Sequence, residues 1–244
     1  MTELMDGTGL SPTAARRQLA RLGPQVRRVA PRKQFFLIVT PEHRAMGAPP
    51  PAWWLDAWFA WLKRPYYLGL QSAAAEYGST TQALQVTQVM TDRPRREVLL
   101  GRVRVRFFVK GSAVATPTQP VAGAQAVLAA STPEATAMDL IRYASRIGGL
   151  SRAAETLAPF LGLLKRGELS RALRIEADTP TAQRLGYVLD VLGGRKLADT
   201  VHASLPRNPV RIRLDLACPA LAASAPVVNE RWHVVVNASV QVRK

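Results

Sequence analysis

The residues best placed to do chemistry with a ligand lie on one side of a short N-terminal helix. At about 100° per residue, Thr13, Arg16, Arg17 and Arg21 fall together, while Ala15, Leu19 and Leu22 fall on the opposite side. A guanidinium fork matches the acceptor pair on a guanine edge and the oxygens of a phosphate. The same pattern also fits an amphipathic helix whose arginines merely solvate a surface. Gly23-Pro24 stops the helix, since glycine suits a C′ position and proline cannot continue. Residues 26–29, a turn at Ala30-Pro31-Arg32-Lys33 and residues 35–39 then spell a hairpin. Arg27, Arg28, Arg32 and Lys33 on that hairpin are expected to hold backbone phosphates. A basic helix leading into a basic hairpin is the recognition helix and wing of a winged helix-turn-helix. Ser11 is the expected N-cap, with Pro12 at N1. A complete module has a helix before this one; the sequence is expected to begin inside or after it, so the module reads as truncated.

A second basic set alternates along 98–109. Arg102, Arg104 and Arg106 take one sheet face and Val103, Val105 and Phe107 the other, because successive strand residues point to opposite sides. With Arg93, Arg95, Arg96 and Lys110 they are expected to form a basic surface for a nucleic acid or an acidic partner. A plain solvated sheet face fits equally well.

Nothing else has the spacing of a catalytic site. A metal-dependent nuclease needs two or three converging carboxylates, and Asp92, Glu97, Asp139 and Asp215 show no such pattern. Asp139 reads as a helix-surface or capping carboxylate. Gly148-Gly149 and Gly193-Gly194 lack the Lys-Ser/Thr that follows a phosphate-cradling loop. His43, His202, His233 and the lone Cys218 have neither metal-ligand nor triad spacing. We therefore expect no enzyme, no catalytic residue, no metal and no cofactor.

The formal charge of +16 points to a polyanionic partner, and 48% hydrophobic residues suffice for packed cores. No apolar run is long enough to span a bilayer and no signal-peptide pattern opens the chain, so no membrane partner is expected. One cysteine fits a reducing cytoplasm. Ala48-Pro49-Pro50-Pro51 reads as a stiff joint, which divides the chain into residues 1–47, a linker at 48–51, and residues 52–244. In the larger part we expect helices at 52–63 and 66–78, with Trp53, Trp54, Trp58, Phe59 and Trp61 filling core. Strands at 85–90 and 98–109 come next, then a loop at 116–120 and a strand at 125–130. Ser131-Thr132-Pro133-Glu134 reads as a compact helix start. From Leu150 to about Ser204 the chain is expected to continue as helices, at 151–157, 160–173 and 181–192, followed by strands at 210–214 and 232–242, with a loop at 219–228. The fold class is α+β: a winged helix-turn-helix, then a larger mixed body.

Several blocks together resemble one family. Residues 66–78 (YYLGLQSAAAEYG) are similar to its tyrosine–alanine segment, and 85–91 to the strand after it. Residues 131–140 (STPEATAMDL) match its helix start, and Asn229, Trp232, His233, Val234, Val236 and Asn237 its closing strand. The family is the AbiEi-type antitoxins of type IV toxin–antitoxin, or abortive-infection, systems. The resemblance implies a DNA-binding domain that represses its own operon at inverted repeats in the promoter. It also implies a C-terminal antitoxin domain that neutralises a cognate nucleotidyltransferase toxin. The motif residues read as architectural: Ser131, Thr132 and Glu134 cap a helix, and Tyr66, Tyr67 and Trp232 fill core. Two other classes stay open. One is a nucleic-acid-processing enzyme with an acidic site at Asp92, Glu97 or Asp215. The other is a pure interaction protein that docks an acidic partner on Arg102, Arg104 and Arg106.

Overall fold

The computed structural model describes residues 7–30, 34–79, 85–122, 127–218 and 227–242. Its centre is a six-stranded mixed sheet, and the strand that sets its register is one the sequence reading assigned to a helix. Tyr66–Leu68 is β3, not the first turn of a helix over 66–78. It pairs antiparallel with β4 (Thr87–Thr91) and parallel with β8 (Val127–Ser131). Only Leu70–Glu76 is helical, as α3. The chain turns at Gly69, where a Cβ would fall 2.4 Å from Met90, and Leu70 takes a left-handed φ of 53°. Aromatic tyrosines favour a pleated surface, and here that preference wins.

Residues 98–109 form two strands instead of one. β5 (Val98–Leu100) and β6 (Val103–Val109) are joined by Gly101-Arg102. Gly101 has φ +61°, as the first central position of a tight hairpin turn demands. β7 (Thr118–Ala122) pairs with β8, where a loop at 116–120 was expected. The resulting order is β5-β6-β4-β3-β8-β7. Successive residues of each central strand send side chains to opposite faces. Leu68, Val89 and Phe107 enter one apolar cluster, and Tyr67, Met90 and Phe108 enter the other.

The first face is covered by α2 (Leu55–Leu62) and by the N-terminal hairpin. That hairpin is β1 (Val26–Arg28) with β2 (Phe36–Ile38), following α1 (Pro12–Arg21). Val29 and Leu37 are buried in the same cluster as Trp54, Trp58 and Phe59. The proline stretch at 48–51 is itself packed: Ala48 is buried and the Trp54 indole donates to the Pro49 carbonyl at 3.1 Å. Gly47 and Gly101 touch backbone to backbone, and the Arg102 amide donates to Met46 O at 2.8 Å.

The second face carries α4 (Pro133–Arg142), α5 (Leu150–Leu157), α6 (Arg166–Glu176) and α7 (Thr179–Val191). The helix expected at 160–173 starts only at Arg166, because 158–163 forms tighter 3₁₀ turns. The helical run expected to continue to about Ser204 closes with α8 (Arg195–Ser204). The terminal strands are short: β9 (Ile212–Arg213), β10 (Val228–Asn229) and β11 (Val234–Val235) form a small separate sheet.

Trp232 is fully buried against α7, its ring edge over Gly186. A Cβ at Gly186 would sit 2.0 Å from that ring. The indole N–H donates to Asp190 at 2.7 Å, and Gln183 donates to the Trp232 carbonyl at 2.9 Å, so the ring is pinned. Gly186→Ala should therefore cost about 1–3 kcal/mol of stability through overpacking, read as a lower urea midpoint. An unchanged midpoint would mean the C-terminal segment does not pack as described.

Candidate nucleic-acid interface

Helix α1 starts where local chemistry says it must: Ser11 Oγ accepts from the Ala14 amide at 3.3 Å and Pro12 follows in the first turn. Ala15 is fully buried, Leu19 is half-buried, and Thr13, Arg16, Arg17 and Arg21 are exposed. Leu22, expected on the packed side, remains 41% exposed. On the hairpin, Arg27 and Arg28 are exposed, and Arg28 lies over the Phe36 ring at 5.2 Å. Arg32 and Lys33, with the turn that carries them, lie outside the described residues. A groove of about 430 Å³ separates helix from hairpin, lined by Arg16, Leu19, Val26, Arg28, Gln34 and Phe36 among others. Arg16 and Arg28 thus border one groove. No acidic residue occurs between Asp6 and Glu42, so the guanidinium groups of this segment add to a field of one sign.

The second basic set comes apart. Arg102, Arg104 and Arg106 are exposed, as the alternation required, with Glu97 at 3.5 Å from Arg104 and 3.8 Å from Arg106. Arg93 and Arg96 are exposed too. Arg95 is not part of an open surface: its guanidinium lies over Trp58 (5.7 Å) and Phe59 (5.2 Å). Its Nε is buried without a hydrogen-bond partner, and burial pulls its pKa down.

Lys110 is the larger correction. It is buried, with Nζ donating to Asp139 Oδ1 at 2.7 Å and Glu176 Oε1 at 2.5 Å. Asp139 is buried in turn, so it is neither a surface nor a capping carboxylate. Its other oxygen accepts from the Tyr67 hydroxyl at 2.8 Å. Thr116 donates to Glu176 at 3.1 Å, and Arg142 reaches Glu176 at 3.6 Å and Asp178 at 3.5 Å. Burial pushes the Asp139 carboxyl up against the opposing pull of Lys110, and burial also raises the Tyr67 hydroxyl. The sequence carried one faint sign of this cluster: Asp139 interrupts the apolar run Ala137, Met138, Leu140 and Ile141.

The helix-start motif also divides its roles. Thr132 caps α4, accepting from the Ala135 amide at 3.4 Å. Ser131 instead pairs with the Thr136 hydroxyl at 2.7 Å. Buried Glu134 accepts from the Lys165 amide at 2.8 Å and so ties down the segment entering α6. Tyr67 and Trp232 fill core as expected, while Tyr66 is only half-buried.

The remaining acids do not converge. Asp92 pairs with Arg64, Glu97 with Arg104 and Arg106, and Asp215 accepts from the Ala217 amide. Among the described residues no group of three His, Cys, Asp or Glu side chains could hold a metal ion. His43 bonds Thr40 at 2.9 Å, and His202 stands edge-on to Trp232.

Residues 67–191 match a family model described as the AbiEi antitoxin C-terminal domain. No curated protein matches the chain. Among solved structures, the RV2827C protein from Mycobacterium tuberculosis is 20% identical, with a TM-score of 0.64 over 94% of this chain and 80% of that one. It shares the fold. A weaker likeness, with a TM-score of 0.40 and 11% identity, covers 62% of this chain and 90% of an antigenic nucleotidyltransferase-like protein from Paracoccidioides brasiliensis.

Two tests follow from the buried groups. Lys110→Met strands two carboxylates in the core and should cost about 3–5 kcal/mol. Adding Asp139→Asn and Glu176→Gln should recover about half of that loss or more, as read by urea denaturation; no recovery would contradict the charge pairing. Burial also raises Tyr77 and Tyr143 from 10.0 to about 12. The stability they contribute is complete below pH 10, the unfolded value, and is lost as pH climbs towards 12. The thermal midpoint should fall across that window, and a single wave of native phenolate absorbance centred near pH 10 would contradict it.

Proposed function

Because this chain belongs to the AbiEi antitoxin family, we propose that it is a non-catalytic, cytoplasmic antitoxin that also represses its own operon. The reading keeps the division into residues 1–47, a proline joint at 48–51, and an antitoxin domain at 52–244. The first part acts as a winged helix-turn-helix on inverted repeats in the promoter, and the second neutralises a cognate nucleotidyltransferase toxin.

One observation carries the DNA-binding half: exposed Arg16 on α1 and exposed Arg28 on the hairpin border one groove, Arg17, Arg21 and Arg27 are exposed as well, and no acid stands between Asp6 and Glu42. Had α1 turned its arginines onto the sheet, the reading would have failed. In a docked complex Arg16, Arg17 and Arg21 enter the major groove with Thr13 alongside, and Arg27, Arg28, Arg32 and Lys33 grip the backbone. Each phosphate contact releases counterions, so log affinity falls by about 0.9 per contact per decade of salt.

Gel shifts on the native upstream DNA test this. Arg16→Ala or Arg17→Ala should cost about 1–3 kcal/mol and loosen sequence preference, whereas Lys33→Ala should weaken every sequence alike. Equal binding to scrambled DNA by the unaltered protein would remove the repressor. Growth rescue on co-expression with the neighbouring reading frame tests the antitoxin half, and no rescue from a demonstrated toxin would remove it.

A further inference from the structure

The N-terminal lobe has little core of its own. Among the described residues up to 47, the buried apolar side chains are Ala15, Val29, Leu37 and Val39. A ten-residue helix is marginal alone, and so is a two-stranded hairpin. The segment has no cysteine to staple it. Val29 and Leu37 instead enter the cluster that holds Trp54, Trp58 and Phe59 and, from the sheet, Val89, Val105 and Phe107. At the rim, the Phe35 ring meets Trp61 of α2 at 5.9 Å between centres. The hairpin, and α1 with it, is therefore held in shape by α2 and the sheet.

The chain that leads from the hairpin to α2 is a second attachment. Ala48 is fully buried, Pro49 O accepts from the Trp54 indole, and Met46 O accepts from the Arg102 amide. Gly47 seats against Gly101 for want of a side chain: a Cβ added to it would fall 2.8 Å from Gly101 Cα, at a φ of +83°. Two buried donors in this layer, Trp58 Nε1 and Arg95 Nε, have no hydrogen-bond partner among the described residues. Water reaching them on opening would relieve that penalty. Opening the far face would instead part the buried ion pairs of Lys110.

We propose that the seating of the N-terminal hairpin on α2 and the sheet is a two-state switch for nucleic-acid binding. Seated, α1 and the hairpin hold Arg16 and Arg28 along one groove. Unseated, they lose the frame that aligns them and bind weakly. Nucleic acid selects the seated state, and whatever loosens this core lowers affinity without touching an arginine. The proposal rests on the DNA-binding reading for its ligand alone; the division at 48–51 then separates roles, not folding units.

The test uses the full chain and upstream duplex DNA. Trp61→Ala, at a side chain already 39% exposed, and Gly47→Ala both alter the seat and leave every arginine in place. Unseating that leaves a third of the molecules competent weakens apparent affinity about threefold, and each variant should lose about that factor or more. The loss should be equal on upstream and scrambled DNA, leave the salt slope unchanged, and be largely reversed by trimethylamine N-oxide, which favours burial. Arg16→Ala, by contrast, should not be rescued. DNA should also slow hydrogen exchange at the Trp58 amide, bonded to Trp54 O at 2.9 Å, although buried Trp58 cannot reach a duplex. Undiminished binding by either variant, a loss that the osmolyte does not reverse, or a Trp58 amide indifferent to DNA would each overturn the proposal. Equal binding of the unaltered protein to scrambled DNA would remove the repressor and leave the switch standing, since any duplex on α1 reports the seat. Failure to bind any duplex would remove both.

Discussion

Lys110 is the point on which three layers of this molecule close. It stands just past the end of β6, reaches Asp139 in the middle of α4, and reaches Glu176 at the end of α6. An ammonium with no exposed surface is intolerable without counter-charges, so sheet and helices must meet in this register or not at all. Tyr67 and Thr116 take the remaining carboxylate capacity, and Arg142 extends the cluster to the rim at Asp178. Such a buried cluster adds little net stability against an apolar replacement. Its effect is on alternatives: slipping β6 by one residue would turn Lys110 to the opposite face and orphan both acids.

The same sheet explains how a chain carrying a net charge of +16 holds two apolar cores. Strand alternation hands each face its own set of large side chains, and the excess arginine is pushed outward to α1, the N-terminal hairpin and the exposed side of β6. Arg95 is the exception, accommodated over the rings of Trp58 and Phe59 at the cost of an unpartnered Nε. The hairpin is not hung loosely on the body, since Val29 and Leu37 share a core with α2 and the sheet. A nucleic acid gripping α1 would therefore pull on the sheet through packed side chains.

What the sequence by itself determined was local and periodic. The arginine face of α1, its Ser11 cap, the hairpin after Gly23-Pro24, the Arg102–Arg104–Arg106 alternation and the Thr132 cap all follow from a residue and its near neighbours. The family blocks were legible for the same reason, being short runs. Tertiary structure decided the rest. Lys110 finds its counter-ions 29 and 66 residues away, so in sequence it looked like one more surface cation and Asp139 like a surface acid. Residues 66–68 became a strand because β4 and β8 bracket them, overriding a helical-looking run. Periodicity tells a side chain which way to face; only the packed neighbours tell it whether that direction leads to water or to another charge.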